Sequence, residues 1–309
     1  MNTLSWIGVY PALLTPFKES EEIDYDVFAK NIEAQIEAGV DGLIVAGSLG
    51  EASTLSTEEK FELAKFAIQT SAGRVPVILN IAEPTTKGAI ELAKGAEALG
   101  AAGLMLLPPM RYKADDRETL AFMTTVAKAT SLDIMVYNNP VDYGIFINLE
   151  MFAELAKYEN VVAVKESTRD ISNIARMKNR FGDRFKILTG VDPLAYESLV
   201  AGADGWVAGL VDAFPEETVT IFNLVKAGQY KAALAIYRWF IPLLELDIHP
   251  KLVQYIKLAA VATGIGTEYV RAPRLTLVGE ERARVTKVIS DAVAIRPALP
   301  KINTEEVVA

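Results

Sequence analysis

The chain has 309 residues, a formal net charge of −9 and no cysteine, which excludes a disulfide framework, a thiolate nucleophile and a cysteine-ligated metal. An acidic balance is the wrong sign for a phosphate backbone, so no nucleic-acid partner is expected. No apolar run reaches the roughly 18 residues of a membrane span. The opening MNTLSWIGVYPALLTPF lacks the basic and long apolar stretches of a secretory signal, so no membrane partner is expected and the expected compartment is the cytoplasm.

Short apolar runs recur along the chain, each followed by a longer helical pattern. They are Gly8–Leu14, Gly42–Gly47, Val75–Ile81, Gly103–Leu107, Ile134–Asn138, Val161–Glu166, Lys186–Gly190 and Gly205–Leu210. Their β-branched and leucine-rich interiors suit parallel strands buried on both faces. GVDG, GAAG and GADG precede the second, fourth and eighth runs, and a glycine there tolerates the left-handed turn that stops a helix. Amphipathic stretches at Tyr25–Ala38, Thr57–Thr70, Thr86–Leu99 and Arg117–Ala129 fill the gaps, with Ser56 and Glu59 spaced as a capping box.

Eight strand-then-helix units without a break predict an α/β protein, a (β/α)8 TIM barrel, over about 1–227. A Rossmann sheet would need a G-x-G-x-x-G in its first turn, and none is present. Helical patterns at Glu216–Ala227, Gln229–Leu246, Lys251–Ala262 and Gly279–Val293 supply the last barrel helix and a C-terminal helical extension over about 228–295. No low-complexity linker intervenes, so 1–309 reads as one domain, with a loosely ordered tail at 296–309.

Barrel enzymes carry their chemistry at the C-terminal ends of the strands. Strand six, VVAVKEST, ends in Lys165. Burial there would lower the amine's pKa and free it as a nucleophile towards carbonyls; pairing with Glu166 is the structural alternative. The loop Gly47-Ser48-Leu49-Gly50-Glu51 offers backbone N–H groups and a hydroxyl to a carboxylate, or is an ordinary turn. Tyr137, in Y-N-N-P, could move protons at an imine or simply line the barrel wall.

The combination G-S-L-G-E, Y-N-N-P and V-A-V-K-E-S, with the opening GVYPALLTPF, resembles the dihydrodipicolinate synthase / N-acetylneuraminate lyase superfamily across nearly the whole chain. The resemblance implies a pyruvate-like 2-oxo acid held as an imine on Lys165, with no metal and no organic cofactor. It implies Tyr137 as proton shuttle with Ser48 as its relay partner, a substrate carboxylate on the Ser48 and Leu49 amides, and Gly47, Gly190 and Val207 in the pocket. It also implies a homotetramer, a dimer of dimers. The lone His249 reads as structural or supporting.

Departures from the synthase pattern bear on the substrate. Asp142 stands where the synthase carries an arginine for its second substrate's carboxylate, and a carboxylate repels what a guanidinium attracts. Leu49 replaces a hydroxyl, and Met110-Arg111-Tyr112 replaces paired tyrosines. Arg111, or polar groups around Asp192, are the candidates for reading a substrate hydroxyl or carboxylate, with Tyr112 as a shifted aromatic.

With YGIFI and LDIHPKLVQYIK, these changes look most like the 1-pyrroline-4-hydroxy-2-carboxylate deaminase branch. The synthase, a 2-oxo acid aldolase and a keto-deoxy sugar acid dehydratase are the alternatives. Outside that chemistry stand a phosphate-binding isomerase or metal-dependent aldolase on the same barrel, and a non-catalytic binding barrel.

Overall fold

A computed structural model describes residues 4–109 and 112–300. Eight parallel strands form a single sheet: β1 Gly8–Pro11, β2 Leu43–Val45, β3 Val77–Ile81, β4 Gly103–Leu106, β5 Asp133–Asn138, β6 Val161–Glu166, β7 Lys186–Thr189 and β8 Gly205–Ala208. Their order is β1-β8-β7-β6-β5-β4-β3-β2. Closure between β1 and β2 comes from a bridge between Ala12 and Ile44, with the Leu13 N–H donating to the Ile44 carbonyl at 2.9 Å. The fold is a (β/α)8 barrel, and every apolar run became a strand, shorter than the run at several ends.

Local signals explain the punctuation. Gly39, Gly100 and Gly202 take φ of 89°, 82° and 103°, the left-handed turn at which each helix stops. The aspartates after the first and third of these fasten neighbouring strands: Asp41 accepts from the Val9 N–H, and Asp204 from the Ile187 N–H, both at 2.8 Å. Ser56 and Glu59 form the expected reciprocal cap on the Thr57–Ser71 helix, and Asp115 with Glu118 repeats the device on Asp116–Ala127.

The extension comprises Tyr230–Leu244, a short 3-10 turn at Glu245–Ile248, Leu252–Ala262 and Gly279–Ala294. Its first helix packs on Pro215–Lys226, and Phe240, Leu243 and Leu244 bury in the same hydrophobic cluster as the strands. Arg296 pairs with the fully buried Glu217; residues 301–309, most of the stretch expected to be loosely ordered, lie outside the described residues.

The extension also grips the barrel at the C-terminal ends of its strands. Glu51, buried and at φ 58°, accepts from Lys257 Nζ at 2.6 Å and from the Arg271 N–H at 3.1 Å. Lys257 also donates to the Tyr269 carbonyl at 2.6 Å and lies 4.6 Å from the Phe17 ring centre. The β2 loop is thereby fixed from behind by residues far along the chain.

Candidate active site

A cavity of about 470 Å3 opens at the C-terminal ends of the strands, the place a barrel keeps its chemistry. Lys165, one residue from the end of β6, is 7% exposed. The parallel register sets it beside Tyr137 of β5, and its Nζ lies 4.2 Å from the centre of the tyrosine ring. Burial lowers the amine's pKa, against an opposing pull from the nearby carboxyls of Asp247, Asp192 and Asp142.

Glu166 is not its partner. That carboxylate accepts from the Thr168 N–H and Asn173 Nδ2, both at 2.8 Å, on the opposite face of the strand. Gly190 makes room beside the lysine, since a Cβ there would stand 2.5 Å from Lys165 Cε and 2.3 Å from Ser167 Oγ.

The hydroxyl network differs from the one expected. Ser48 Oγ lies 2.5 Å from the hydroxyl of Tyr143, not beside that of Tyr137. Tyr143 sits on a single helical turn, Pro140–Tyr143, capped by Asn139. Its ring meets Tyr137 edge-on at 5.4 Å and 84°. The Tyr137 hydroxyl accepts instead from Asn139 Nδ2 at 3.2 Å. Burial raises both phenols, Tyr137 to about 12, so both are protonated donors near neutral pH.

Gly47, Ser48 and Leu49 line the cavity with Val207 and Gly190. The loop is held by Thr15 Oγ1 donating to the Gly50 carbonyl at 2.6 Å and by the Ala52 N–H donating to the Gly47 carbonyl at 3.0 Å. Among the described residues, the Ser48 and Leu49 amides donate to no protein acceptor.

The predicted substrate-reading residues fare unevenly. Asp142 lines the cavity and is bonded by Asn139 Nδ2 at 2.7 Å. Asp192 is corrected: it is fully buried and is not among the cavity-lining residues. It accepts from Trp206 Nε1 at 2.9 Å and the Leu210 N–H at 2.7 Å, with Gly209 alongside, so it pins the end of β8. Tyr112 is 57% exposed and outside the cavity lining; Arg111 lies outside the described residues. His249 lies on the rim, stacked on Tyr255 at 4.5 Å, with Nδ1 accepting from the Lys251 N–H at 3.1 Å.

Sequence reasoning missed Tyr143, Ser167, Arg169 and Asp247, all of which line the cavity. Tyr143 had a signal, since it follows the Y-N-N-P run closely. Asp247 had none, because the extension folds back to present it. Its carboxyl packs on Gly209, where a Cβ would meet Oδ1 at 2.5 Å. Its pKa is raised well above the usual range by burial and by Asp192, with Lys165 opposing. Among the described residues no group of three or more His, Cys, Asp or Glu converges as a metal site, and no helix is long and apolar enough to cross a membrane.

Comparison with known proteins agrees with this architecture. The model of the dihydrodipicolinate synthetase family matches residues 5–292. The 4-hydroxy-tetrahydrodipicolinate synthase of Kosmotoga olearia is 32% identical over 94% of this chain and 99% of that protein. The Exiguobacterium sibiricum protein of the same name is 35% identical over 89% and 93%. Among solved structures, the Methylacidiphilum fumariolicum 4-hydroxy-tetrahydrodipicolinate synthase superposes with a TM-score of 0.89 at 26% identity, covering 93% and 96%. The Aquifex aeolicus dihydrodipicolinate synthase gives 0.88 at 28%, covering 96% and 100%. With the match running from the first strand into the last helix, the chain belongs to the dihydrodipicolinate synthetase family and is a class I, Schiff-base lyase.

Proposed function

We propose that Lys165 attacks the C2 carbonyl of a 2-oxo acid, with loss of water, to give an imine. The observation that carries this is a buried amine lining the cavity against the Tyr137 ring, with no hydrogen-bonded carboxylate among the described residues. The unpartnered Ser48 and Leu49 amides receive the substrate's carboxylate. Tyr143, bonded to Ser48, passes protons between the carbonyl oxygen, the amine and solvent; Tyr137 packs over the amine and keeps water away. Loss of a C3 proton from the imine leaves an enamine.

The enamine has two fates. In the first reading it forms a carbon–carbon bond with an aldehyde. That reading is supported by the names of the relatives, which favour a synthase over the deaminase read from the sequence. Asp142 favours the second reading, in which the enamine's electron pair expels a C4 hydroxyl, which leaves as water, to give a conjugated imine, and hydrolysis then frees the product, with ammonia where the substrate carries an amino group. The relatives also support a small-molecule substrate, and a homotetramer is proposed by family resemblance; light scattering checks the mass.

Borohydride with pyruvate tests the common step: mass spectrometry should find one reduced adduct, on Lys165. No adduct across a panel of 2-oxo acids sinks the proposal. Product analysis then separates the readings. Consumption of pyruvate with aspartate semialdehyde supports the first, and ammonia released from 1-pyrroline-4-hydroxy-2-carboxylate supports the second.

A further inference from the structure

The charged groups around the cavity are unequally committed. Arg274 faces Glu51 at 3.7 Å, Asp142 is bonded by Asn139, and Asp247 is packed against Gly209. Arg169 lines the cavity too, yet its guanidinium has no hydrogen bond or ion pair among the described residues.

Its backbone lies at φ 64°, in the left-handed region where glycine or asparagine is usual and a bulky side chain is not. The turn is fastened on both sides. Before it, Glu166 accepts from the Thr168 N–H at 2.8 Å. After it, Asp170 donates its N–H to Thr168 Oγ1 at 3.2 Å and accepts from Arg176 at 2.6 Å. A backbone so constrained fixes where the Cβ starts from, and Arg169, exposed at the rim, lines both the cavity and a shallow pocket beside Asp170. On the same edge, Ser167 is 1% exposed and lines the cavity, its hydroxyl near that of Tyr137 but making no hydrogen bond of regular geometry. One turn therefore brings a buried hydroxyl and an exposed guanidinium to the cavity lining, and the guanidinium has no protein partner among the described residues.

We propose that Arg169 binds a carboxylate at the end of the substrate remote from the imine, so that the enzyme prefers reactants carrying a second acid group. A guanidinium meets a carboxylate with two parallel N–H···O bonds, and Arg169 supplies the cation that position 142 does not. The proposal rests on the Schiff-base reading above and adds the class of substrate.

Borohydride trapping on Lys165 tests it with matched acids that share the imine-forming end: 2-oxoglutarate against 2-oxopentanoate, and 2-oxoadipate against 2-oxohexanoate. In the natural protein, the dicarboxylate of at least one pair should half-saturate trapping at a concentration lower by about 10- to 100-fold. Arg169→Gly, whose backbone accepts the left-handed turn, should fold with an unreduced Tm and bring that ratio close to one. Arg169→Lys keeps the charge without the fork and should give an intermediate ratio. Equal half-saturation within both pairs in the natural protein, or a preference that survives in Arg169→Gly, overturns the proposal. Pyruvate has no distal group and checks the lysine in each protein. If it is not trapped in the natural protein, the Schiff-base reading falls and this proposal with it, a result distinct from a lost preference.

Discussion

The hydroxyls of Ser48 and Tyr143 stand 2.5 Å apart, joining the loop after β2 to the single helical turn after β5. Ser48 is exposed and Tyr143 is only partly so, so a proton leaving Tyr143 has Ser48 as its acceptor on the way to water. Tyr143→Phe and Ser48→Ala are each expected to lower kcat by about 10²- to 10⁴-fold. The double variant should cost little more than the worse single one, as for groups acting as a unit. Stopped-flow kinetics of all three checks this. Fully additive losses would mean that the two hydroxyls act separately.

The barrel was legible because its signals are local. Apolar run length, β-branching and the G-x-x-G punctuation each depend on residues a few positions apart, as at Gly39–Gly42 and Gly100–Gly103. Lys165 and Tyr137 were legible for the same reason, each closing an apolar run. What the residues touch was not. Ser48 could be matched with Tyr143 only by knowing that Pro140–Tyr143 makes one helical turn and swings the ring back over Tyr137. Asp192 looked available until Trp206 and the amides after β8 were seen to occupy it. Asp247 arrives by long-range packing of the extension, which no short motif records.

Gly190 provides a test of how closely the lysine is held. A methyl group there would come within 2.5 Å of Lys165 Cε and 2.6 Å of Cγ, so the amine must move. Displacement by about 1 Å of a reacting group costs on the order of 10²-fold in rate. Gly190→Ala should therefore slow adduct formation with pyruvate by about that factor, with Lys165→Arg giving no adduct at all. Quantitative trapping at fixed times measures both; a Gly190→Ala protein that traps at the natural rate would show that the lysine has slack.

The pH dependence of adduct formation is set by the groups around the amine. Only the neutral amine attacks, so the rate climbs as pH rises through its pKa. Burial lowers that pKa; the carboxyls of Asp247, Asp192 and Asp142 raise it, in that order. Burial and Asp192 favour the neutral acid of Asp247, and the Lys165 ammonium draws it back towards the anion; Asp247→Asn removes the negative charge formed beside the protonated amine, so the rising limb should move to lower pH. Asp142→Asn should move it the same way and less far. Initial rates of trapping across the pH range decide it, and a limb that moves to higher pH with Asp247→Asn would contradict the assignment.

The contact between Glu51 and Lys257 predicts a stability effect far from the reacting amine. Both side chains are essentially inaccessible and meet at 2.6 Å; burial lowers the lysine's pKa to about 8, against the pull of Glu51. Removing one partner leaves a buried charge unpaired, which costs about 3–5 kcal/mol, whereas replacing both with apolar or neutral groups of similar volume is often nearly neutral. Lys257→Met leaves Glu51 with Arg274 at 3.7 Å and the Arg271 N–H, so it should lower the unfolding free energy by up to about 3–5 kcal/mol, and Glu51→Gln with Lys257→Met should regain most of it. Because Glu51 also accepts the Arg271 N–H at 3.1 Å, the single lysine variant should loosen the loop that carries Ser48 and weaken substrate binding as well. Urea unfolding and half-saturation by pyruvate, measured on the same preparations, separate the two effects. A single variant as stable as the natural protein would mean that the pair is dispensable to the fold.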